Sequence, residues 1–260
     1  MVHIVVALAA LAASGLTLFS GFGLGTLLLP LFALFFPIPV AVAATAVVHV
    51  LNNLFKLALL RRDVDAGVVV RFGVPAAVAA FPGAWLLAKL PAHALATWSL
   101  GSRSFTVTPV GLVIGLLILI FAAFEIVPAL QHWRPKAPIA VGGVLSGFFG
   151  GLSGQQGALR AAFLTPLGLP PSRFVATQAA IACMVDGARL LVFGIGFFGA
   201  HATVVSSTNR WPLVAVATVA AFTGAWLGAR LVRKVTLTFV RAVTATLLVI
   251  VGLGLATGLV

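Results

Sequence analysis

One predicted helix places five polar side chains on a single face within an apolar stretch. They stand at positions i, i+4, i+7, i+8 and i+11, and at about 100° per residue this spacing confines them to one stripe. The stripe combines a hydroxyl, an imidazole, two amides and an ammonium group, which can bind an anion or carry a proton at membrane depth. The residues are Thr45, His49, Asn52, Asn53 and Lys56; a packed, hydrogen-bonded role for His49 and snorkelling to the membrane surface for Lys56 are the alternatives.

A second predicted helix repeats part of this pattern. Gln178, Asp186 and Arg189 stand at i, i+8 and i+11, which is the spacing of the first, fourth and fifth members of the first stripe. Arg189 lies well inside the apolar run 174–198, where an unpaired charge is costly, and Asp186 stands one turn earlier. A structural Asp186–Arg189 ion pair and an anion site with Arg189 as ligand are both open, and the anion site is favoured. Asp186 and His49 are the candidates for binding a coupling proton.

A third polar group lies at a glycine-rich break in the sequence. The apolar segment 138–169 is too long for one membrane crossing, and glycines between 147 and 157 allow the chain to leave the helix. A helix that starts at such a break aims free N–H groups inward, which suits a small oxyanion. The predicted ligands here are Ser153, Gln155, Gln156 and Arg160, with Ser20 at the matching break of segment 3–36, and local helix capping is the alternative role of both serines.

The composition excludes a water-soluble domain. Hydrophobic residues make up 62% of the 260 residues, charged residues only 8%, and the mean hydropathy is +1.20. Long continuous apolar runs predict transmembrane helices rather than the short alternating segments of a β-barrel. The formal charge of +12 comes from cations between these runs, which we interpret as membrane anchors among the lipids and not as a nucleic-acid site. Cys183 is the only cysteine, which excludes an internal disulfide, and without clustered Cys, His or carboxylate spacings we predict no metal site and no cofactor.

The chain contains an internal duplication. The decapeptide 81–90 returns at 222–231 with seven of ten residues identical, and both copies contain Gly-Ala-Trp-Leu. We therefore predict an all-α polytopic membrane protein of two repeats, 3–130 and 138–258, each a broken or re-entrant segment followed by three transmembrane helices. The broken segments are 3–36 and 138–169, and the helices are predicted at about 40–60, 67–90 and 106–128 and at about 173–198, 211–231 and 237–258.

The distribution of basic residues predicts how the repeats are oriented. Cations are concentrated after the second element, at 61–71, and between the last two helices, at 230–241. Positive residues favour the cytoplasmic side, and both loops lie there only if segment 138–169 enters the membrane and returns. The two repeats are then inverted, the two polar stripes face each other across the bundle, and both termini lie outside.

The duplicated motifs resemble those of a known transporter family. Ser20-Gly-Phe-Gly-Leu-Gly25 with its long apolar arm, Gly150-Gly-Leu-Ser-Gly154, Ala- and Thr-rich helices and the paired Gly-Ala-Trp-Leu motifs look like the sulfite exporter TauE/SafE family over nearly the whole chain. The resemblance implies transport of sulfite, organosulfonates or related sulfur oxyanions, commonly outward, across a bacterial inner membrane. The residues alone predict an anion path between inverted repeats, with alternating access around a midplane cationic site, and they leave a homo-oligomer open.

Two other functions fit parts of the sequence. Gly151-Leu-Ser-Gly154 resembles the Gly-x-Ser-Gly of rhomboid intramembrane proteases, whose serine is activated by a histidine on a later helix. Only His201 follows Ser153, and it falls in a predicted outer loop, so we do not expect an enzyme. A channel-like membrane subunit is the other alternative, but it has no use for Asp186 and Arg189 at membrane depth.

Overall fold

Helices make up most of the computed structural model, which describes residues 4, 6–12, 14, 28–29, 32–33, 38–91, 93–131, 133–200, 211–231 and 237–259. The predicted break in segment 3–36 lies outside the described residues. The first half contains α1 (Ile38–Leu60), α2 (Ala66–Lys89), α3 (Pro109–Ile126) and the short α4 (Pro128–Gln131). The second half contains α5 (Ile139–Ser153), α6 (Gly157–Leu164), α7 (Pro171–Ala200), α8 (Trp211–Leu231) and α9 (Leu237–Thr257).

Three of the described helices are long and apolar enough to cross a membrane, judged by length and composition. They cover Val40–Asp63, Ala66–Lys89 and Pro171–Gly194, each 24 residues long. At about 1.5 Å per residue, each exceeds the ~30 Å of a hydrocarbon core. The predicted fold class, a helical polytopic membrane protein, is confirmed. Shorter apolar helices in the described part are Pro109–Phe124, Ile139–Ser153, Val214–Gly224 and Ala245–Thr257.

A β-hairpin between α2 and α3 departs from the helical prediction. Strands β1 (Ala96–Leu100) and β2 (Arg103–Val107) pair antiparallel, and Gly101 lies in the turn at φ 64°. Thr, Ser and aromatic residues in this stretch favour extended backbone over helix. The helix predicted from about 106 begins instead at Pro109, where the Thr108 hydroxyl caps it, because proline is preferred in the first turn of a helix.

Helices α5 and α6 form a hairpin. α5 ends at Gly154, whose φ of 78° is a left-handed conformation that favours glycine. Beyond it, α6 packs back along α5, since the Ser146 hydroxyl donates to the Gln156 carbonyl oxygen at 3.0 Å and the Phe163 ring lies against Gly142. With 15 and 8 residues, neither helix crosses about 30 Å of hydrocarbon. The break predicted in segment 138–169 is therefore present, and its two arms fold back on each other.

α2 and α5 pack backbone to backbone along a glycine seam, formed by three glycines one turn apart on α5. An added Cβ at any of the three would collide with a carbonyl oxygen of α2, so only glycine allows this approach. The partner residues advance together along both helices, and α2 and α5 therefore run parallel. The contacts are Gly143 to Phe72, Gly147 to Ala76 and Gly151 to Ala80, and Gly83 of α2 meets the Phe148 carbonyl in return.

α1 and α7 are neighbours that run antiparallel. In the middle of α1, the Val50 carbonyl oxygen lies 3.9 Å from the Cys183 sulfur of α7. Beyond the end of α1, the Asp65 N–H donates to Thr177 Oγ1 at 2.9 Å, and the Asp65 carboxylate lies 3.7 Å from Arg173 near the start of α7. The end of α1 and the start of α7 therefore lie at the same face of the helical bundle.

Several other interhelical contacts in the described residues form pairs that exchange when the two halves of the sequence are exchanged. α1 packs on α8 while α7 packs on α2, and α3 packs on α9, where Gly115 lies against the backbone of Gly252 and Ala256. α2 lies on the hairpin of the second half, and Gly224 of α8 lies on the backbone of Leu11, in the opening segment of the first half. Among the described helices, these contacts thus have counterparts related by the sequence duplication.

Candidate functional site

Polar side chains carried by α1, the α5–α6 hairpin and α7 are buried inside the protein. Every predicted site residue that the structure describes is at most 7% exposed, and Asp186 and Arg189 are each 1% exposed. Ser20 lies outside the described residues. The buried polar cluster consists of Thr45, His49, Asn52, Asn53, Lys56, Ser153, Gln155, Gln156, Arg160, Gln178, Asp186 and Arg189.

The Asp186 carboxylate joins the two polar stripes. Its Oδ2 lies 2.5 Å from His49 Nδ1 on α1, and its Oδ1 lies 3.3 Å from Arg189 Nη2, one turn along α7. The Asp186–Arg189 ion pair is therefore present, and the α1 stripe faces the α7 stripe at this point. The short hydrogen bond links two groups that can carry a proton, one from each half of the chain.

Arg189 is held by the hairpin as well as by Asp186. Its Nη1 donates to the Gly150 carbonyl oxygen at 3.0 Å and lies against Gly154, where a side chain would have no room. Its Nε has no hydrogen-bond partner among the residues that the structure describes. Because arginine only donates, Arg189 keeps one buried donor for an acceptor that these residues do not supply.

Arg160 binds two glutamine side chains. Its Nε donates to Gln178 Oε1 on α7 at 3.1 Å, and its Nη1 donates to Gln156 Oε1 at 3.0 Å. Since a guanidinium cannot accept, these bonds decide which side of each amide is the oxygen. The amide nitrogens of both glutamines are left without a partner.

The cluster carries more positive than negative charge. Lys56, Arg160 and Arg189 are its cations and Asp186 is its carboxylate, which gives a formal charge of +2 when His49 is neutral. In the described part of the chain, no carboxylate lies within 4.0 Å of Lys56 or Arg160. The two lie close enough for their charges to repel. Buried cations without a counter-ion are costly, so the cluster favours an anion.

Unsatisfied polar atoms in the described residues are mostly N–H donors. Six buried side-chain nitrogens lack a hydrogen-bond partner, against two oxygens. Asp186 Oδ1 is one of these oxygens, because its contact with Arg189 has the distance of an ion pair without the geometry of a hydrogen bond. Buried polar groups are normally paired, and unpaired donors in one region indicate a ligand that supplies acceptors. The nitrogens are Asn52 Nδ2, Asn53 Nδ2, Gln155 Nε2, Gln156 Nε2, Gln178 Nε2 and Arg189 Nε.

Two predicted ligands have contacts that bear on their alternative roles. The Ser153 hydroxyl donates to the Phe149 carbonyl oxygen at 3.0 Å and accepts from the Gln155 N–H at 3.3 Å. These local bonds are the capping role, so Ser153 supports the break and has no free donor for a ligand. Lys56 is buried inside the protein, which favours the ligand role over snorkelling to the membrane surface.

Sequence reasoning missed the backbone that holds these side chains. The Gly150 carbonyl fixes Arg189, and Gly154 makes room for the guanidinium, but a glycine in a Gly-rich stretch gives no signal of such a contact. Ser14, from the opening segment of the first half, donates to Asn52 Oδ1 at 3.3 Å. Its partner lies 38 residues away, and no local spacing could have identified it.

The structure gives no support to a protease site at Ser153. Its hydrogen bonds go to backbone groups, and the buried imidazole in the described region, His49, binds Asp186 instead. The predicted base, His201, lies outside the described residues. A nucleophile without a base in reach is not activated.

Duplicated helical halves around a buried, positively charged polar cluster define a membrane transporter of small anions. Residues 6–255 match the family model described as Sulfite exporter TauE/SafE, and the chain belongs to this family. No curated protein and no solved structure matches the chain significantly. The family resemblance seen in the sequence motifs is confirmed. Members of the family are transporters and not enzymes, and membership implies export of sulfite or a related sulfur anion.

Proposed function

We propose that this protein is a secondary transporter that exports small sulfur oxyanions, such as sulfite or an organosulfonate, by alternating access around the buried polar cluster. The observation that carries the proposal is the set of six unpartnered N–H donors within a cluster of formal charge +2. An oxyanion supplies both the negative charge and the acceptor oxygens that the cluster lacks. Apolar helices around the cluster lower the dielectric and strengthen each contact.

The proposed ligands differ in charge and therefore in role. Arg189 provides a charged donor, and Lys56 adds a second positive charge from the other half of the chain. Asp186 keeps Arg189 paired between transport cycles and opposes the charge of the anion, which favours release. Neutral hydrogen bonds come from Asn53, Gln155, Gln156 and Gln178.

His49 and Asp186 are the proposed proton carriers. Their hydrogen bond spans the contact between α1 and α7, and any separation of these helices breaks it. A proton held by the pair is then released or rebound as the helices move. The charges that act on the pair are Arg189 and Arg160, with Lys56 on the His49 helix and the Cys183 thiol close by.

The two halves are proposed to be inverted repeats in a bacterial inner membrane. Antiparallel packing of α1 on α7 and the exchange symmetry of the other contacts support a two-fold axis in the membrane plane. The cations at 61–71 favour the cytoplasmic side for the end of α1. Both termini then lie outside.

Cysteine accessibility tests this orientation. In a Cys183→Ser background, Asp63→Cys and Thr236→Cys are expected to react with a membrane-impermeant maleimide from the cytoplasmic side. Ser102→Cys, in the turn of the β-hairpin, is the control and should react from the outside, because α2 crosses the membrane between Asp63 and Ser102. Reaction of the Asp63 and Thr236 variants from opposite sides would show that the repeats are not inverted.

Transport by purified protein in proteoliposomes tests the function. Efflux of sulfite or of a simple sulfonate is expected to saturate with concentration, whereas a channel-like subunit would not saturate. Lys56→Gln should lower the rate at a subsaturating concentration about tenfold, because it removes a buried charge that attracts the anion. Lys136→Gln removes an exposed lysine and serves as the matched control, with an unchanged rate.

An imposed pH gradient across the same vesicles tests the coupling. Wild-type efflux is expected to respond to the gradient, and His49→Gln or Asp186→Asn protein that still folds should not. Wild-type transport that ignores the gradient removes the proton from the proposal and leaves anion transport standing. Absence of saturable transport of any sulfur oxyanion contradicts the proposed function itself.

A further inference from the structure

Within the described residues, the Arg160 side chain donates two hydrogen bonds, and both go to neutral side chains. Its Nε and Nη1 hold the amide oxygens of Gln178 and Gln156 at 3.1 and 3.0 Å. Among the residues that the structure describes, no carboxylate lies within 4.0 Å of it. Arg160 is 3% exposed, and a guanidinium that is bound by amide oxygens in such surroundings keeps its full charge with little screening.

The two amides are fixed in orientation as a result. Each must turn its oxygen towards Arg160 and its NH2 group away, because arginine cannot accept a hydrogen bond. Gln156 is also held by its backbone carbonyl oxygen, which accepts from Ser146 Oγ at 3.0 Å and from the Arg160 N–H at 3.1 Å. Both amide nitrogens stay buried and unpartnered. Without Arg160, either amide could rotate by half a turn and present its oxygen instead.

We propose that Arg160 is a positioning residue that turns Gln156 and Gln178 so that their N–H groups bind the transported anion. This inference rests on the proposed function and adds the origin of its selectivity for oxyanions. Fixed N–H groups have directions that match the lone pairs of oxygen, whereas a spherical halide responds to charge alone. Neutral donors also bind less tightly than a bidentate arginine contact, which lets the anion leave the site.

Arg160→Lys separates the geometry of the side chain from its charge. Lysine keeps the charge but lacks the planar fork, so it cannot hold two amide oxygens in fixed directions. Sulfite affinity is expected to fall about tenfold, which corresponds to roughly one lost hydrogen bond, while chloride affinity changes by less than about twofold. Arg173→Lys, at the exposed start of α7, is the matched control and should change neither affinity. Isothermal titration calorimetry on folded, purified protein gives both values.

A double-mutant cycle separates positioning from direct contact. Gln178→Glu keeps an acceptor for Arg160 but removes the N–H donor. In this background, Arg160→Lys is expected to lower the sulfite affinity about threefold or less, because one of the two amides that Arg160 positions no longer has a donor. Residue 160 stays cationic in both arms of the cycle, so the charge of the added carboxylate weakens anion binding in each. Gln156→Glu allows the same cycle if the Gln178 variant does not fold.

The results distinguish this inference from the proposed function. If Arg160→Lys lowers the sulfite affinity about tenfold in both the wild-type and the Gln178→Glu background, Arg160 contacts the anion itself, and the positioning role is wrong. Equal losses of sulfite and chloride affinity mean that Arg160 acts as a charge alone, which also overturns the inference. If wild-type protein binds neither sulfite nor any sulfonate, the proposed function fails and this inference fails with it.

Discussion

Arg189→Gln is expected to cause the largest loss of anion binding and to lower the thermal unfolding temperature as well. The substitution removes a charged donor, Nε, that no group in the described part of the chain accepts, and such a hydrogen bond contributes about 1.5–3 kcal/mol, or roughly 10- to 100-fold in affinity. It also takes the ion-pair partner from Asp186, which is 1% exposed. Leaving one member of a buried pair alone costs about 3–5 kcal/mol.

The double variant Asp186→Asn/Arg189→Gln separates these two effects. Removing both charges leaves no unpaired carboxylate, so the unfolding temperature should recover towards that of the wild type. The affinity for sulfite should stay at least about tenfold weaker, because the charged donor is still missing. Affinities for sulfite, a sulfonate, sulfate and chloride are measured on folded protein by calorimetry. If the folded double variant binds every anion as tightly as the wild type, Asp186 and Arg189 form a structural pair and the site assignment is wrong.

Gly147→Ala is expected to cause the largest loss of stability for the smallest change in side chain. A Cβ at this position would meet the carbonyl of Ala76, and neither helix backbone can move without disturbing the neighbouring contacts of the glycine seam. Overpacking of this kind costs about 1–3 kcal/mol, and a rigid backbone neighbour puts the cost at the upper end of that range. Thermal unfolding in detergent measures the effect.

Gly194→Ala provides the matched control. It makes the same chemical change on α7, at a position where an added Cβ would have no atom within 4 Å. Alanine favours helix over glycine by about 1 kcal/mol, so the unfolding temperature should be unchanged or raised. Equal effects of the two substitutions would mean that the glycine seam does not hold α2 on α5.

Features that depend on helical period and apolar length could be predicted from the sequence. The spacing from Thr45 to Lys56 identified a polar face, because a helix repeats every 3.6 residues whatever its neighbours are. The length of segment 138–169 required a break, since no single helix of that length fits a bilayer. The costly burial of Asp186 and Arg189 could also be inferred, because the apolar run around them leaves no route to water.

Features that depend on contacts between distant elements could not be predicted. Arg160 and Gln178 are 18 residues apart, and the bond between them requires α6 to fold back along α5 before α7 begins. Ser153 is predicted as a ligand with local capping as its alternative role, and spacing alone could not show that its hydroxyl bonds to the backbone of Phe149 and Gln155. The β-hairpin was not predicted, because the helices predicted at about 67–90 and 106–128 leave the interval between them unassigned, and its two five-residue strands are too short to give a periodic signal.

The glycine seam also limits which parts of the protein can move against one another. α2 belongs to the first half of the sequence and α5 to the second, yet three successive backbone contacts keep the two helices in register. Sliding α5 along α2 to the next set of contacts would require a shift of about 5.4 Å, one full helical turn. Gly224 of α8 rests on Leu11 in the corresponding way. We therefore expect two rigid bodies to rock against each other during transport. Each body joins the opening arm of one repeat to the second long helix of the other, so the bodies that move do not coincide with the two duplicated halves of the sequence.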